Sequence, residues 1–167
     1  MRRHTIPLLV AGMAAVSIAS ASIDQNALTV SAQARACYLG ILALYDAQYL
    51  RDADSTAPTR CVQLDYRRAF SADELAEATR EIFAERHGGD VAQRFAAELT
   101  QVGHAYRTVE PGDRYTFCVG PRGNGVLLHN GDVSAQFPSA GFSERFMQIW
   151  VLSEDAQRRP RWAFTQC

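Results

Sequence analysis

Residues 60–75 read Arg60-Cys61-Val62-Gln63-Leu64-Asp65-Tyr66-Arg67-Arg68-Ala69-Phe70-Ser71-Ala72-Asp73-Glu74-Leu75, and the pattern changes period halfway along. In the first half Val62, Leu64 and Tyr66 alternate with polar side chains, so they share one face of a strand while Cys61 points to the other. In the second half Ser71 stands three residues before Glu74. That spacing is a capping box, in which each side chain satisfies a free backbone N–H of a helix's first turn. Leu75, Ile82 and Phe83 then fall on one face of a helix predicted to stop at Gly88-Gly89. Downstream, Asp90 is placed to cap a second helix whose Val91, Phe95, Leu99, Val102 and Tyr106 recur at helical spacing. These two stripes predict helix faces packed on a sheet.

Glu110-Pro111-Gly112-Asp113 suits a type II turn, because Pro presets one angle and Gly accepts the positive φ that follows. Strands are predicted at about 114–119, 126–129 and 133–137, with Asn130-Gly131 as a hairpin signal between the last two. Ser139 caps a final helix carrying Phe142, Phe146, Ile149 and Trp150 on one side. Upstream, residues 34–51 are apolar and aromatic with Gly40 as the only breaker, which reads as two strands or one long bent strand. The acid-, Ser- and Pro-bearing residues 52–59 read as a loop. The order of elements, without repeats or linker, predicts one α+β domain over residues 22–167: an antiparallel sheet layered with helices.

The chain has 167 residues, 47% of them apolar and 21% charged, as expected of a globular protein rather than a disordered one. Its 17 basic residues are all Arg, against 18 acidic residues, so there is no basic surplus to bind nucleic acid. A genome biased toward arginine codons accounts for the absence of Lys. Anion recognition is asked only of the arginines read as facing a cleft from a strand, namely Arg35, Arg67 and Arg68.

Met1-Arg2-Arg3-His4, the apolar or small residues 6–20, and Ala19-Ser20-Ala21 together read as a secretory signal peptide over residues 1–21. The apolar run is short for a membrane span, so no integral span is expected after cleavage. Removal of Arg2 and Arg3 leaves 15 basic against 18 acidic side chains, a net charge of −3. A periplasmic or secreted location follows, and an oxidising compartment makes Cys37, Cys61, Cys118 and Cys167 disulfide candidates. Cys61 and Cys118 both lie opposite the apolar side chains of their strands, so they pair if those strands are neighbours. Cys37 and Cys167 remain for each other.

Catalytic signatures are missing. There is no G-x-S-x-G elbow, H-E-x-x-H, phosphate loop or dinucleotide fingerprint, and no cofactor is expected. His87, His104 and His129 show no metal-ligand spacing and read as helix-end, surface and hairpin histidines, so no metal is expected either. Glu74, Glu77, Glu81 and Glu85 form a solvated acidic helix face. Arg67 and Arg68 alternate faces after Tyr66, so one of them is expected to turn inward, toward an ion pair or an anion.

Five pieces in order carry a family resemblance: Leu44-Tyr45-Asp46-Ala47-Gln48-Tyr49; Leu64-Asp65-Tyr66-Arg67-Arg68 with Ser71-Ala72-Asp73-Glu74-Leu75; Pro111-Gly112-Asp113; His129-Asn130-Gly131; and Phe142 through Phe146 to Ile149-Trp150. Over about residues 35–152 the chain resembles the bacterial chalcone isomerase-like family of small exported proteins. The resemblance implies an open-faced β-sandwich. In the plant enzymes of the family an early-strand arginine holds an anionic flavonoid oxygen during ring closure, and related plant proteins hold a fatty-acid carboxylate in an Arg-and-Tyr cleft. Arg35 is the matching arginine here, ahead of Tyr45, although Ser31-Ala32-Gln33 replace the customary glycines before it. The threonine expected at the start of the next strand falls near Ala43-Leu44, where no hydroxyl exists, which argues against ring closure. The resemblance therefore implies a non-catalytic binding protein for a fatty-acid-like or other amphipathic carboxylate. Its cleft would lie between sheet and helices, with Arg35 or Arg67 at the head group and Tyr45, Tyr49 and Tyr66 on the walls. A chalcone isomerase-type isomerase and a cleft-less protein-interaction domain are the alternatives.

Overall fold

The computed structural model describes residues 27–52 and 55–167. The predicted signal peptide and its cleavage site lie outside the described residues. Six strands form one antiparallel sheet in sequence order, each paired with the next: β1 (Thr29–Tyr38), β2 (Leu42–Arg51), β3 (Arg60–Tyr66), β4 (Arg114–Val119), β5 (Gly125–His129) and β6 (Asp132–Phe137). Helices α1 (Ala72–His87), α2 (Gly89–Arg94) and α3 (Ala96–Ala105) are inserted between β3 and β4. Helix α4 (Ala140–Met147) follows β6, and β7 (Val151–Glu154) pairs with β8 (Pro160–Trp162) in a small second sheet. The predicted α+β architecture, a sheet layered with helices, is the observed one.

Residues 34–51 resolve into two strands. The chain reverses at Leu39 and Gly40, both at positive φ, and β1 and β2 pair from Thr29↔Arg51 to Tyr38↔Leu42. The capping box forms as read: Glu74 N–H donates to Ser71 Oγ at 3.2 Å and Ser71 N–H to Glu74 Oε2 at 2.7 Å. Asn130 and Gly131 both take positive φ, which a two-residue type I′ hairpin requires. Gly112 takes φ +100° in the predicted turn, closed by the Asp113 N–H on the Glu110 carbonyl.

Four local expectations fail for physical reasons. The buried face of α1 is Ala76, Thr79 and Phe83, while Leu75 is only partly covered and Ile82 is exposed. Small side chains set this rotation: a Cβ on Gly103 of α3 would stand 3.4 Å from that of Ala76, so the two helices cross on their smallest residues. The second helix is interrupted at Phe95, which leaves the helical region (φ −106°, ψ 22°) and divides it into α2 and α3. Asp90 does not cap it, because Gly88 at φ +88° turns the chain so sharply that Gly89 is already helical. Ile149 and Trp150 lie beyond the end of α4 yet remain buried.

Strand alternation divides the sheet into a covered and an open face. Tyr45, Ala47, Tyr49, Val62, Leu64, Tyr66, Tyr115, Phe117 and Phe137 point toward the helices and pack on Phe83, Leu99, Val102, Tyr106, Phe142, Phe146 and Trp150. Phe117 meets Phe146 edge-on, with ring centroids 4.7 Å apart. Phe117 needs a glycine on the neighbouring β5, diagonal to it and directly opposite Val119, since a Cβ on Gly125 would lie 2.8 Å from its ring. On the open face Cys61 and Cys118 are direct cross-strand partners and are joined in a disulfide; Cys37 and Cys167 form the second. The second disulfide ties the C-terminal tail to β1, where Cys37 N–H donates to the Thr165 carbonyl and Cys167 N–H to that of Arg35.

Candidate functional site

The parity of β2 separates the residues expected to share one cleft. Tyr45 and Tyr49 lie on the covered face with Tyr66 of β3, and Asp46, between them, lies on the open face. Arg35 is the direct partner of Asp46 across the β1–β2 pair and donates from Nε to its carboxylate at 2.6 Å. Arg67 donates to the other Asp46 oxygen, from Nε at 2.7 Å. The Arg35 hydrogen bond, together with Arg67, holds the Asp46 carboxyl below the usual carboxylate range. The expected cleft with Arg35 or Arg67 at its head and three tyrosines on its walls is therefore corrected: the two kinds of residue face opposite sides of one sheet. Neither Arg67 nor Arg68 turns inward, because β3 ends at Tyr66 and both side chains are exposed. Arg35 and Asp46 instead edge a shallow open-face groove of ≈470 Å³ with Gln48 and Asp65.

On the covered face, aromatic packing fills the space around two of the three tyrosines. Tyr66 is ringed by Tyr45, Phe70 and Tyr115 at centroid distances of 5.9–6.3 Å, and Tyr45 is capped edge-on by Phe164 of the tail. Tyr49 is wholly buried and donates its hydroxyl to Glu154 Oε1 at 2.8 Å. Burial pushes all three phenols above the ordinary range, so each stays protonated at neutral pH.

Beyond Tyr49 the same face carries two arginines that the sequence reading passed over. Tyr45, Ala47, Tyr49 and Arg51 are successive covered-face positions of β2, as Arg60, Val62, Leu64 and Tyr66 are of β3, and Arg51 and Arg60 are direct cross-strand partners. Arg60 donates to Glu144 Oε1 of α4 at 2.5 Å. Arg51 is only 6% exposed, and among the described residues its Nε–H has no hydrogen-bond partner. Both line a cleft of ≈370 Å³ that Arg158, Glu144 and Glu154 also border, open to solvent at the end of the sheet. The loop from Gly120 to Gly123 forms its far wall. That wall depends on glycine: Gly123 takes φ +81°, and a Cβ there would lie 2.5 Å from that of Ala140. The period-2 count that assigned Val62, Leu64 and Tyr66 to one face already placed Arg60 with them. The arginines went unread because each ends its strand, where a charged residue ordinarily reaches solvent.

The family model described as chalcone isomerase-like matches residues 36–161. The chain belongs to the chalcone isomerase-like family. Among 31 matching chains of known structure is a fatty-acid binding protein of Arabidopsis thaliana, 10% identical, with a TM-score of 0.58 over 83% of this chain and 87% of that one. Among curated proteins, none matches by sequence.

For a chalcone isomerase-like protein, the start of β2 is short of polar groups: Ala43 and Leu44 stand there, without a hydroxyl. His87 hydrogen-bonds the Arg145 carbonyl from the end of α1, His104 is exposed on α3, and His129 stacks on Tyr115 at 4.7 Å beside the hairpin. Among the described residues no group of three or more His, Cys, Asp and Glu side chains is arranged to hold a metal ion. The chemistry that the Arg51 cleft offers is hydrogen-bond donation to an anion from fixed, partly desolvated guanidinium groups.

Proposed function

We propose that this protein is a non-catalytic binder of an amphipathic anionic small molecule, such as a fatty acid, and that it takes the ligand's head group at Arg51 and Arg60. The observation that carries this reading is the buried Arg51 guanidinium with an unpartnered Nε–H. A buried charge without a partner is strongly unfavourable, and an anion in the adjoining cleft removes that penalty. The neighbouring acids are already engaged, Glu144 with Arg60 and Glu154 with Tyr49, which leaves the Arg51 Nε–H unmatched among the described residues. Arg158 at the cleft rim adds a further positive charge. The likeness to a protein titled as fatty-acid binding supports the same class of ligand. Two disulfides suit an oxidising compartment, so export through the leader at residues 1–21, to the periplasm or beyond, belongs to this proposal.

Isothermal titration of the delipidated protein with medium- and long-chain fatty acids tests it. Wild type is expected to bind, and Arg51→Gln to weaken binding by about ten-fold or more, the worth of a charge-assisted hydrogen bond. Arg35→Gln is expected to leave affinity unchanged. Absence of binding by wild type, or equal affinity in Arg51→Gln, overturns the reading.

A further inference from the structure

The reversal between β1 and β2 exposes apolar side chains to an unusual degree. Tyr38, Leu39, Ile41 and Leu42 are 59%, 76%, 87% and 40% exposed, four of the seven exposed large apolar side chains among the described residues. The ten residues 36–45 carry no charge. The tip is a firm prong: Ile41 N–H donates to the Tyr38 carbonyl at 3.2 Å, and the Cys37–Cys167 disulfide anchors the hairpin one residue below Tyr38.

Positive charge gathers at its base. Arg67 N–H donates to the Leu44 carbonyl, which sets Arg67 and the following Arg68 beside the hairpin, and Arg35 lies on β1 just below it. Asp46 is the single carboxylate shared by Arg35 and Arg67, and no ion pair among the described residues engages Arg68. Two further acids on neighbouring strands and turns are committed elsewhere: Asp65 accepts from Arg114, and Asp113 from the Glu110 N–H and Asn130.

We infer that this hairpin tip docks the protein on an anionic lipid bilayer. Leu39 and Ile41 enter the acyl boundary, Tyr38 sits at head-group level, and the surrounding arginines meet lipid phosphates. A second copy of the chain fits less well. The β1 edge near the tip is taken by the C-terminal tail, through the Ala36↔Gln166 bridge and the Cys37 N–H on the Thr165 carbonyl. Four side chains on a convex tip also fall well short of the roughly 800 Å² per partner that a stable protein interface buries. A bilayer needs no complementary pocket.

Co-sedimentation with phosphatidylcholine vesicles, with and without phosphatidylglycerol, tests the inference. Wild type is expected to sediment with the anionic vesicles and to be released by high salt. The double variant Leu39→Asp/Ile41→Asp is expected to lose binding by about ten-fold or more. Aspartate tolerates the left-handed backbone at residue 39, and thermal melting checks that this variant folds. Arg68→Gln is expected to weaken binding about five-fold, on anionic vesicles only. The Arg51 cleft lies at the other end of β2, roughly 30 Å away, so fatty-acid affinity is expected to be untouched in these variants. Wild type remaining in the supernatant with both vesicle types, sedimentation of the double variant like wild type, or a tip-dependent dimer seen by light scattering without vesicle binding would each overturn it.

Discussion

The two faces of the six-stranded sheet solve the same problem with different physics. Behind the helices, stability comes from interlocked aromatic rings around Phe117 and Phe137, and the polar groups stand at the margin. On the open face, cohesion comes from a cross-strand disulfide, the small apolar cluster of Val126, Leu128 and Leu50 around it, and ion pairs: Cys61 to Cys118, Arg35 and Arg67 to Asp46, Arg114 to Asp65. Arginine shows the contrast most clearly. Arg35 and Arg67 share a carboxylate and are half exposed, whereas Arg51 is buried with its Nε–H unmatched. An arginine's role is decided by how many partners its face supplies, since the same guanidinium is neutralised on one side and left available on the other.

The largest expected effect tests the open face. Replacing Cys61 and Cys118 together by Ala frees a loop of 57 residues and should cost about 4 kcal/mol of unfolding free energy by the chain-entropy relation. Equilibrium urea denaturation reads this, and a loss below about 1 kcal/mol would show that the Val126–Leu128 cluster, ion pairs and hydrogen bonds hold that face without the disulfide. Next comes the unmatched charge. Arg51→Met should raise stability by about 1–4 kcal/mol, because a buried guanidinium with an unmatched Nε–H gives way to an apolar side chain, while abolishing fatty-acid binding. A fall in melting temperature instead would mark Arg51 as structural.

Gly125→Ala probes the covered face. The added methyl meets the Phe117 ring and Ser143 Oγ, at 2.8 and 2.6 Å, and should destabilise by about 1–3 kcal/mol without altering the open face. The smallest effect is Asp46→Asn, below about 1 kcal/mol at neutral pH because all three groups of the cluster are partly exposed to solvent. Its sign is set by the lowered carboxyl of Asp46. The contribution is complete above the unfolded carboxylate pKa near 3.9, and is lost as pH falls through the lower folded value. Denaturation curves of wild type and variant should therefore differ at neutral pH and converge in strong acid. A difference that persists unchanged into acid would dissociate Asp46 from the arginines.

Much of the fold was legible because local rules carried it. Ser71 with Glu74, Gly112, Asn130-Gly131 and Ser139 each act within a few residues of themselves, so their turns and caps form where the residues stand. Strand parity is equally local, and it was enough to pair Cys61 with Cys118 once β3 and β4 were neighbours. The failures are where distant contacts overrule local pattern. Phe95 divides a stripe that looked continuous, and Ala76 displaces Leu75 and Ile82 from the buried face.

The candidate site marks the same boundary. Residue order was sufficient to separate Asp46 from Tyr45 and Tyr49, because successive side chains of a strand must alternate. It had no means of stating that Arg35 and Arg67 converge on one carboxylate, or that the Arg51 Nε–H lacks a partner. Those are sums over groups from several elements, with Glu144 on α4 and Glu154 on β7 satisfying Arg60 and Tyr49 and leaving Arg51 unmatched. Periodicity is a property of one segment and survives in the sequence; desolvation and partner count belong to the assembled fold and exist only there.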